Sequence, residues 1–203
     1  MSVSEQSKTP RESVTIDKLV AAAAKLFREQ GYAATTTRQL SSDLGIQRAS
    51  LYHHIDSKED LLYEVSSRSL DRIVAAGRRA VATALPEHQL RDLITAHLDV
   101  ALRDQDLHAT MLIELKHLSV ERRRRVVEKR DQYETIVREL ISDEQRAGRV
   151  RTDVTAQDLT LALLNLLNWT IFWYRPGGPS TREHLAQIYA TIFIDGAGSG
   201  EKL

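Results

Sequence analysis

Proline is absent from Glu87 to Arg175, and that absence is the feature that most limits the fold of this chain. The four prolines are Pro10, Pro86, Pro176 and Pro179. Gly31, Gly45, Gly148 and the Gly177-Gly178 pair fall at breaks in apolar periodicity, and only Gly77 sits inside a plausible helix. Both residue types are costly in helix interiors, so their confinement to breaks predicts an all-α chain. No alternating β-branched segment bounded by hairpin turns competes with that reading. The periodicity places helices over residues 13–30, 37–45, 48–54, 57–84, 87–104, 107–118, 120–147, 155–175 and 181–195. Ser57-Lys58-Glu59-Asp60 has the pattern of a capping box at the start of the fourth.

Length and charge narrow the classes further. The 203 residues suffice for one large or two small domains, and the formal net charge is zero. With no cysteine, a disulfide scaffold, a thiolate zinc site and a cysteine nucleophile are excluded. No apolar run approaches a membrane span and the N-terminus lacks a signal-peptide core, so a cytoplasmic protein without a membrane partner is expected. Residues 1–11 read as a flexible tail, and the glycine-rich end at 196–200 reads as a helix cap and frayed tail.

Residues 35–54 have helix-turn-helix grammar. Leu40 and Leu44 stand four apart and can pack inward, Gly45 permits a left-handed turn, Ile46 can bury there, and Leu51 can anchor the next helix. The outer face of that helix is polar and small. Ala49 and Ser50 allow a deep approach to a major groove, and Gln47, Arg48, Tyr52 and His53 can reach bases or phosphates. Two ordinary amphipathic helices around a glycine would share part of this pattern. The sequence that follows, Tyr52-His53-His54-Ile55-Asp56-Ser57-Lys58-Glu59-Asp60-Leu61-Leu62, is more particular.

From Ser13 to Leu62 the chain resembles the TetR family of one-component transcriptional repressors. The likeness rests on Phe27-Arg28-Glu29-Gln30-Gly31-Tyr32, Thr36-Thr37, Leu51-Tyr52-His53-His54 and Ser57-Lys58-Glu59-Asp60-Leu61, in that order. Ile55 stands where the family usually has Phe, Ala49 where Gly is common, and Gln47 where Ser or Thr often caps the recognition helix. The resemblance implies a DNA-binding domain over residues 12–62 and an effector-binding and dimerisation domain over 63–203. It implies a homodimer whose recognition helices enter successive major grooves of double-stranded operator DNA. Thr37, Tyr52 and Lys58 match positions that touch phosphates; Arg48, Ala49, Ser50 and His53 match positions facing base edges; Arg38 and Gln47 lie at the flanks. Over residues 35–58 the charges are Arg38, Arg48 and Lys58 against Asp43 and Asp56, a local positive patch inside a neutral sum.

The remainder carries no catalytic motif, no metal-ligand spacing and no cofactor loop. Its histidines are scattered. Residues 159–167 are apolar almost all round, as for a helix buried on both sides, and Leu185, Ile188, Tyr189, Ile192 and Phe193 form a stripe on the last helix. If the resemblance holds, these two helices pair across a two-fold axis, with Leu163 and Leu167 joining the stripe at the dimer interface; burial within one subunit is the other reading. Trp169 and Trp173 lie one turn apart in an aromatic run, either packing residues or the apolar wall of an effector pocket. Together with Leu118-Ser119-Val120-Glu121-Arg122-Arg123 and Arg130-Asp131-Gln132-Tyr133-Glu134, that run resembles a TetR subgroup of fatty-acid and steroid catabolism that responds to acyl-coenzyme A. On that likeness Met111, Glu114, Leu115, Leu118 and Tyr133 are placed at the pocket by position. Arg122 to Arg125 are a solvated, ion-paired face, or supply one or two contacts to coenzyme A phosphates, and Arg122 is assigned to the pocket. The expected function is a repressor released by a small effector, most simply an acyl-CoA. A drug-sensing efflux repressor of the same fold and a helical interaction protein without DNA binding are the alternatives.

Overall fold

The computed structural model describes residues 15–196; the expected tail at 1–11 and the glycine-rich end beyond Gly196 lie outside them. Nine α-helices and no strand occur among the described residues. They are α1 (Ile16–Gln30), α2 (Thr37–Asp43), α3 (Arg48–Tyr52), α4 (Lys58–Thr83), α5 (Gln89–Arg103), α6 (Gln105–Glu114), α7 (Val120–Arg146), α8 (Ala156–Trp173) and α9 (Arg182–Gly196). Single 3-10 turns at Pro86–His88 and Leu115–His117 take up residues that periodicity assigned to the neighbouring helices. No helix among the described residues is long and apolar enough to cross a membrane.

Local chemistry accounts for the helix ends. Thr15 caps α1 by accepting from the Lys18 N–H, and the Gly31 N–H closes it on the Phe27 carbonyl. Thr36 and Gln39 form a reciprocal capping box on α2, and Ser57 and Asp60 form the expected one on α4. Asp60 also accepts from the Asp56 N–H, which fixes the entry into α4.

Two apolar cores meet along α4. The first gathers Leu19, Phe27, Leu40, Leu51, Leu61, Leu62 and Val65, but it is completed by Leu107, Met111, Leu118 and Val126 from farther along the chain. The second gathers Ile73, Leu93, Ile94, Leu98, Val137, Ile141, Leu163, Leu167, Leu185, Tyr189 and Phe193. One rigid helix therefore carries side chains of both, and α6 reaches into the N-terminal core from the C-terminal half.

The second core corrects the expected dimer interface. Leu163 and Leu167 are fully buried, and Leu185, Tyr189 and Phe193 nearly so, within their own subunit. Ile188 is half-buried against the same core, leaving Ile192 as the one expected residue on the outside, 58% exposed. The reason is α5, which packs against both α8 and α9 and takes up their apolar stripes. Nor is α8 buried on both sides: Trp169, Phe172 and Trp173 stand exposed towards its C-terminal end.

Candidate DNA-reading surface and effector cavity

At the N-terminal end, Leu40 and Leu51 are fully buried and hold α2 and α3 against α1. Gly45, at φ 62°, makes the turn between them in the left-handed region that a side chain resists. The Ile46 N–H returns to the Ser41 carbonyl at 3.0 Å and fixes the crossing of the two helices. With Leu51 inward, Arg48, Ala49, Ser50, Tyr52 and His53 are all exposed on α3. Gln47 precedes α3 without capping it through its side chain, so its amide remains available.

Tyr52 is the organised point of this surface. Its hydroxyl lies 3.3 Å from the Thr37 hydroxyl and accepts from Arg48 at 3.4 Å, while the Arg48 guanidinium stands 5.7 Å from its ring. The hydrogen bonds from Thr37 and then Arg48 lower the pKa of the phenol. Thr37, Arg48 and Tyr52 are thus brought together, with Arg38 exposed at the start of α2. A hydroxyl pair beside a guanidinium on an open surface suits a phosphate oxygen.

Lys58 does not join them. Its ammonium donates to the carbonyls of Tyr32 and Thr35 at 2.8 and 2.7 Å and sits 4.2 Å from the Tyr32 ring centre. Its pKa is lowered by partial burial. The structure gives Lys58 the task of tying the α1–α2 loop to α4, which corrects the expected phosphate contact.

In the C-terminal half, α4, α5, α6, α7 and α8 partly enclose a cavity of about 380 Å³. Larger hollows of about 540 and 510 Å³ are open surface grooves edged by charged side chains. Leu70, Ile73, Met111, Leu112 and Leu164 supply the apolar wall of the enclosed one. Its polar groups are two imidazoles, a phenol and a carboxamide. His97 Nδ1 lies 3.0 Å from the Tyr133 hydroxyl; His108 Nδ1 lies 3.0 Å from the Ser69 hydroxyl, and its Nε2 lies 3.0 Å from Asn168 Oδ1. The two imidazoles meet edge to face at 5.7 Å.

Gly77 makes room for this arrangement. A Cβ there would stand 2.7 Å from the Tyr133 ring, so the phenol can lie against α4 only where no side chain exists. Burial, with His108 beside it and the Asn168 amide opposing, lowers the His97 pKa to about 3. His108 is lowered and Tyr133 raised, each chiefly by burial. At neutral pH the interior therefore carries no charge. At the rim, Arg130 is exposed, and Glu134 accepts from Gln157 at 2.8 Å.

Of the residues assigned to a pocket from sequence, Met111 and Tyr133 line this cavity. The other six do not. Trp169 and Trp173 are 67% and 47% exposed on the open face of α8. The cavity stripe of that helix is Leu161, Leu164, Asn165 and Asn168, and a step of one residue turns a helical side chain by ~100°. Leu118 and Leu115 pack with the N-terminal core instead. Glu114 is buried beside His117, their side chains 3.3 Å apart. Arg122 is held by Asp60 and Glu59 at the start of α4, while Arg124 and Arg125 pair with Glu121 on the surface. His97, His108, Ser69 and Asn168 were not singled out from sequence. The available signal was His97 itself, a polar residue inside the inward stripe Leu93, Ile94, Leu98 and Ala101.

The cavity and the N-terminal core beneath the DNA-reading surface share α4 and α6. Ser69, Leu70 and Ile73 on α4 touch the cavity system, and the same helix carries Leu61 and Leu62 in the N-terminal core. On α6, His108 and Met111 face the cavity while the Thr110 hydroxyl donates to the Ala24 carbonyl of α1 at 3.1 Å.

Comparison with known proteins finds a family model for each end of the chain. Residues 19–65 match the family model "Bacterial regulatory proteins, tetR family", and residues 83–197 match "Tetracyclin repressor-like, C-terminal domain". The transcriptional repressor KstR2 of Rhodococcus jostii is 32% identical over 185 residues, covering 90% of each chain. The structure of PfmR, a TetR family regulator from Thermus thermophilus, superposes with a TM-score of 0.83 at 37% identity, covering 91% of this chain and all of that one. The ketosteroid transcriptional regulator KstR2 of Mycobacterium tuberculosis gives 0.84 at 26% identity, covering 98% and 100%.

Proposed function

The chain belongs to the TetR family of bacterial transcriptional regulators, and we propose that it represses by binding a pseudo-palindromic operator as a homodimer, from which an acyl-CoA releases it. The observation that carries DNA binding is the exposed α3 face, where Arg48 and Tyr52 are held at hydrogen-bond distance beside small Ala49 and Ser50. Bulk charge adds little to the attraction, since the net charge is zero, so affinity rests on these contacts repeated at two half-sites. The dimer contact is assigned to the open faces of α8 and α9. Trp169, Phe172 and Trp173 on α8 and Ile192 on α9 are all more than 40% exposed, and exposed apolar surface of that kind marks a partner contact.

The effector reading rests on the division between cavity and rim. A neutral, largely apolar space of about 380 Å³ suits an acyl or steroid-derived group, and it falls in the range of ~300–1,000 Å³ for ligand sites. A coenzyme A moiety is too polar for that interior and stays outside, where Arg130 can meet a phosphate. A cationic drug would find no free counter-charge: Glu134 at the rim is engaged by Gln157 and Arg138. One relative is a ketosteroid transcriptional regulator, which supports an effector from lipid or steroid catabolism. Filling the cavity bears on α4 and α6 together, and both carry residues of the N-terminal core. An effector that binds better to one setting of those helices shifts the spacing of the two recognition helices.

The test is fluorescence anisotropy with DNA from the chain's own upstream region, titrated with hexanoyl-CoA and longer acyl-CoAs. Specific binding that an acyl-CoA reverses is expected. Specific binding that none of them reverses, with a different co-purifying ligand found by mass spectrometry, would overturn the effector assignment and leave the regulator.

A further inference from the structure

The two buried imidazoles of the cavity are not equivalent. His108 has both ring nitrogens occupied, by Ser69 and by Asn168. His97 has one: Nδ1 meets the Tyr133 hydroxyl at 3.0 Å, and Nε2 is buried without a hydrogen-bond partner. Only Ser66 Oγ and Arg122 Nη1 share that condition among the described side chains, and neither lines this cavity.

The direction of the Tyr133 bond follows from its surroundings. The buried phenol has a single polar neighbour, His97 Nδ1, so its proton goes there and Nδ1 accepts. The ring hydrogen of His97 is then on Nε2. Asn168 Oδ1 takes the Nε2 hydrogen of His108 at 3.0 Å. Its amide also lies near the His97 ring and opposes the fall in that ring's pKa, but it makes no hydrogen bond of normal geometry to His97 Nε2. What remains is one buried N–H donor without a hydrogen-bond partner, on a side chain that lines the cavity and is held in one orientation by Tyr133. Gly77 keeps the Tyr133 ring in place behind it.

Resting on the effector reading above, we propose that His97 Nε2–H selects the effector by donating to a neutral acceptor oxygen, the carbonyl of a thioester or ketone. A buried donor left unpaired penalises every ligand that cannot satisfy it, so the selection acts against hydrocarbons and cations of equal size. Because burial holds the imidazole uncharged, it offers no special attraction to a free carboxylate. Tyr133 is a positioning residue, since it acts by fixing the tautomer and orientation of His97.

Two matched probe pairs test this on the full chain. The first is cyclohexyl methyl ketone against isopropylcyclohexane, and the second is hexanoyl-CoA against its thioether S-hexyl-CoA. Binding is followed by the ¹⁵N shifts of the His97 imidazole. In at least one pair the carbonyl member is expected to bind roughly three- to tenfold tighter and to move the Nε2–H resonance. His97→Leu is expected to erase that ratio, and His97→Gln, which keeps an N–H near the same place, to restore part of it. Discrimination in the first pair points to a ketone, and in the second to a thioester. Equal binding within both pairs, an unmoved His97 resonance, or an undiminished ratio in His97→Leu would overturn the proposal. Should His97→Leu fail to fold, the wild-type ratios and the His97→Gln ratio still decide it. The ketone arm does not depend on acyl-CoA releasing operator, so the two claims can fail separately.

Discussion

The α3 surface and the cavity under α4 solve recognition in opposite ways. On α3 the polar groups are exposed, charged or hydroxylic, and tied only to one another: Thr37, Arg48 and Tyr52 form a small cluster in solvent. In the cavity they are buried and neutral, and each is braced by a neighbour from another helix. The first arrangement gains from charge, weakens with salt and tolerates change without loss of fold. The second gains from shape and unpaired donors, ignores salt, and is coupled to stability. Substitutions in the two places should therefore fail differently.

The largest effect expected is on DNA. Arg48→Ala with Tyr52→Ala should weaken operator binding by on the order of 100-fold or more, each contact contributing about 1–3 kcal/mol. Thermal melts should stay close to wild type because both side chains are exposed. In the cavity the order reverses. Gly77→Ala drives a methyl into the Tyr133 ring and should destabilise the fold by about 1–3 kcal/mol in urea titrations. Effector affinity should fall with it, while the folded fraction still binds operator.

Acid provides a gentler contrast. His97 is held neutral to about pH 3, against an ordinary 6.5, and burial lowers His108 as well. Below pH 6.5 the unfolded chain takes up protons that the folded one refuses. Stability is full above that pH and declines as pH falls from 6.5 towards 3. Urea midpoints measured from pH 7 to 4 should show this, and His97→Leu should flatten the decline by up to one proton.

The proposed self-association uses the open face of α8. Trp169→Ala with Trp173→Ala should shift sedimentation towards monomer while leaving a monomer's melting within ~0.5 kcal/mol, since neither ring supports the core. The smallest effect belongs to the arginine run. Arg124→Gln should change neither DNA nor effector binding measurably, its partners Glu121 and Glu128 being as exposed as itself.

The same contrast governs what the sequence makes legible. Leu40, Gly45 and Leu51 are read correctly because the turn closes within a few residues and both leucines obey helix periodicity. The Ser57–Asp60 box is read because it is local too, though the Thr36–Gln39 box two helices earlier passes unnoticed. Trp169 and Trp173 are assigned to a pocket wall, and the structure turns them outward, because the inward side of α8 is set by where α5 lies. Leu163, Leu185 and Phe193 are placed at a dimer interface by the same gap: a stripe shows that a face is buried, not against what. His97 and His108 stand eleven residues apart on separate helices and become neighbours only through the fold.

Anisotropy of labelled upstream DNA at several salt concentrations, with wild type and the Arg48, Tyr52 double variant side by side, tests the central claim most directly. The account predicts specific binding by a dimer, a shallow fall of log affinity with log salt for so balanced a chain, and loss of specificity in the variant. Specific binding that survives both substitutions, or no specific binding by a wild-type dimer, would contradict it.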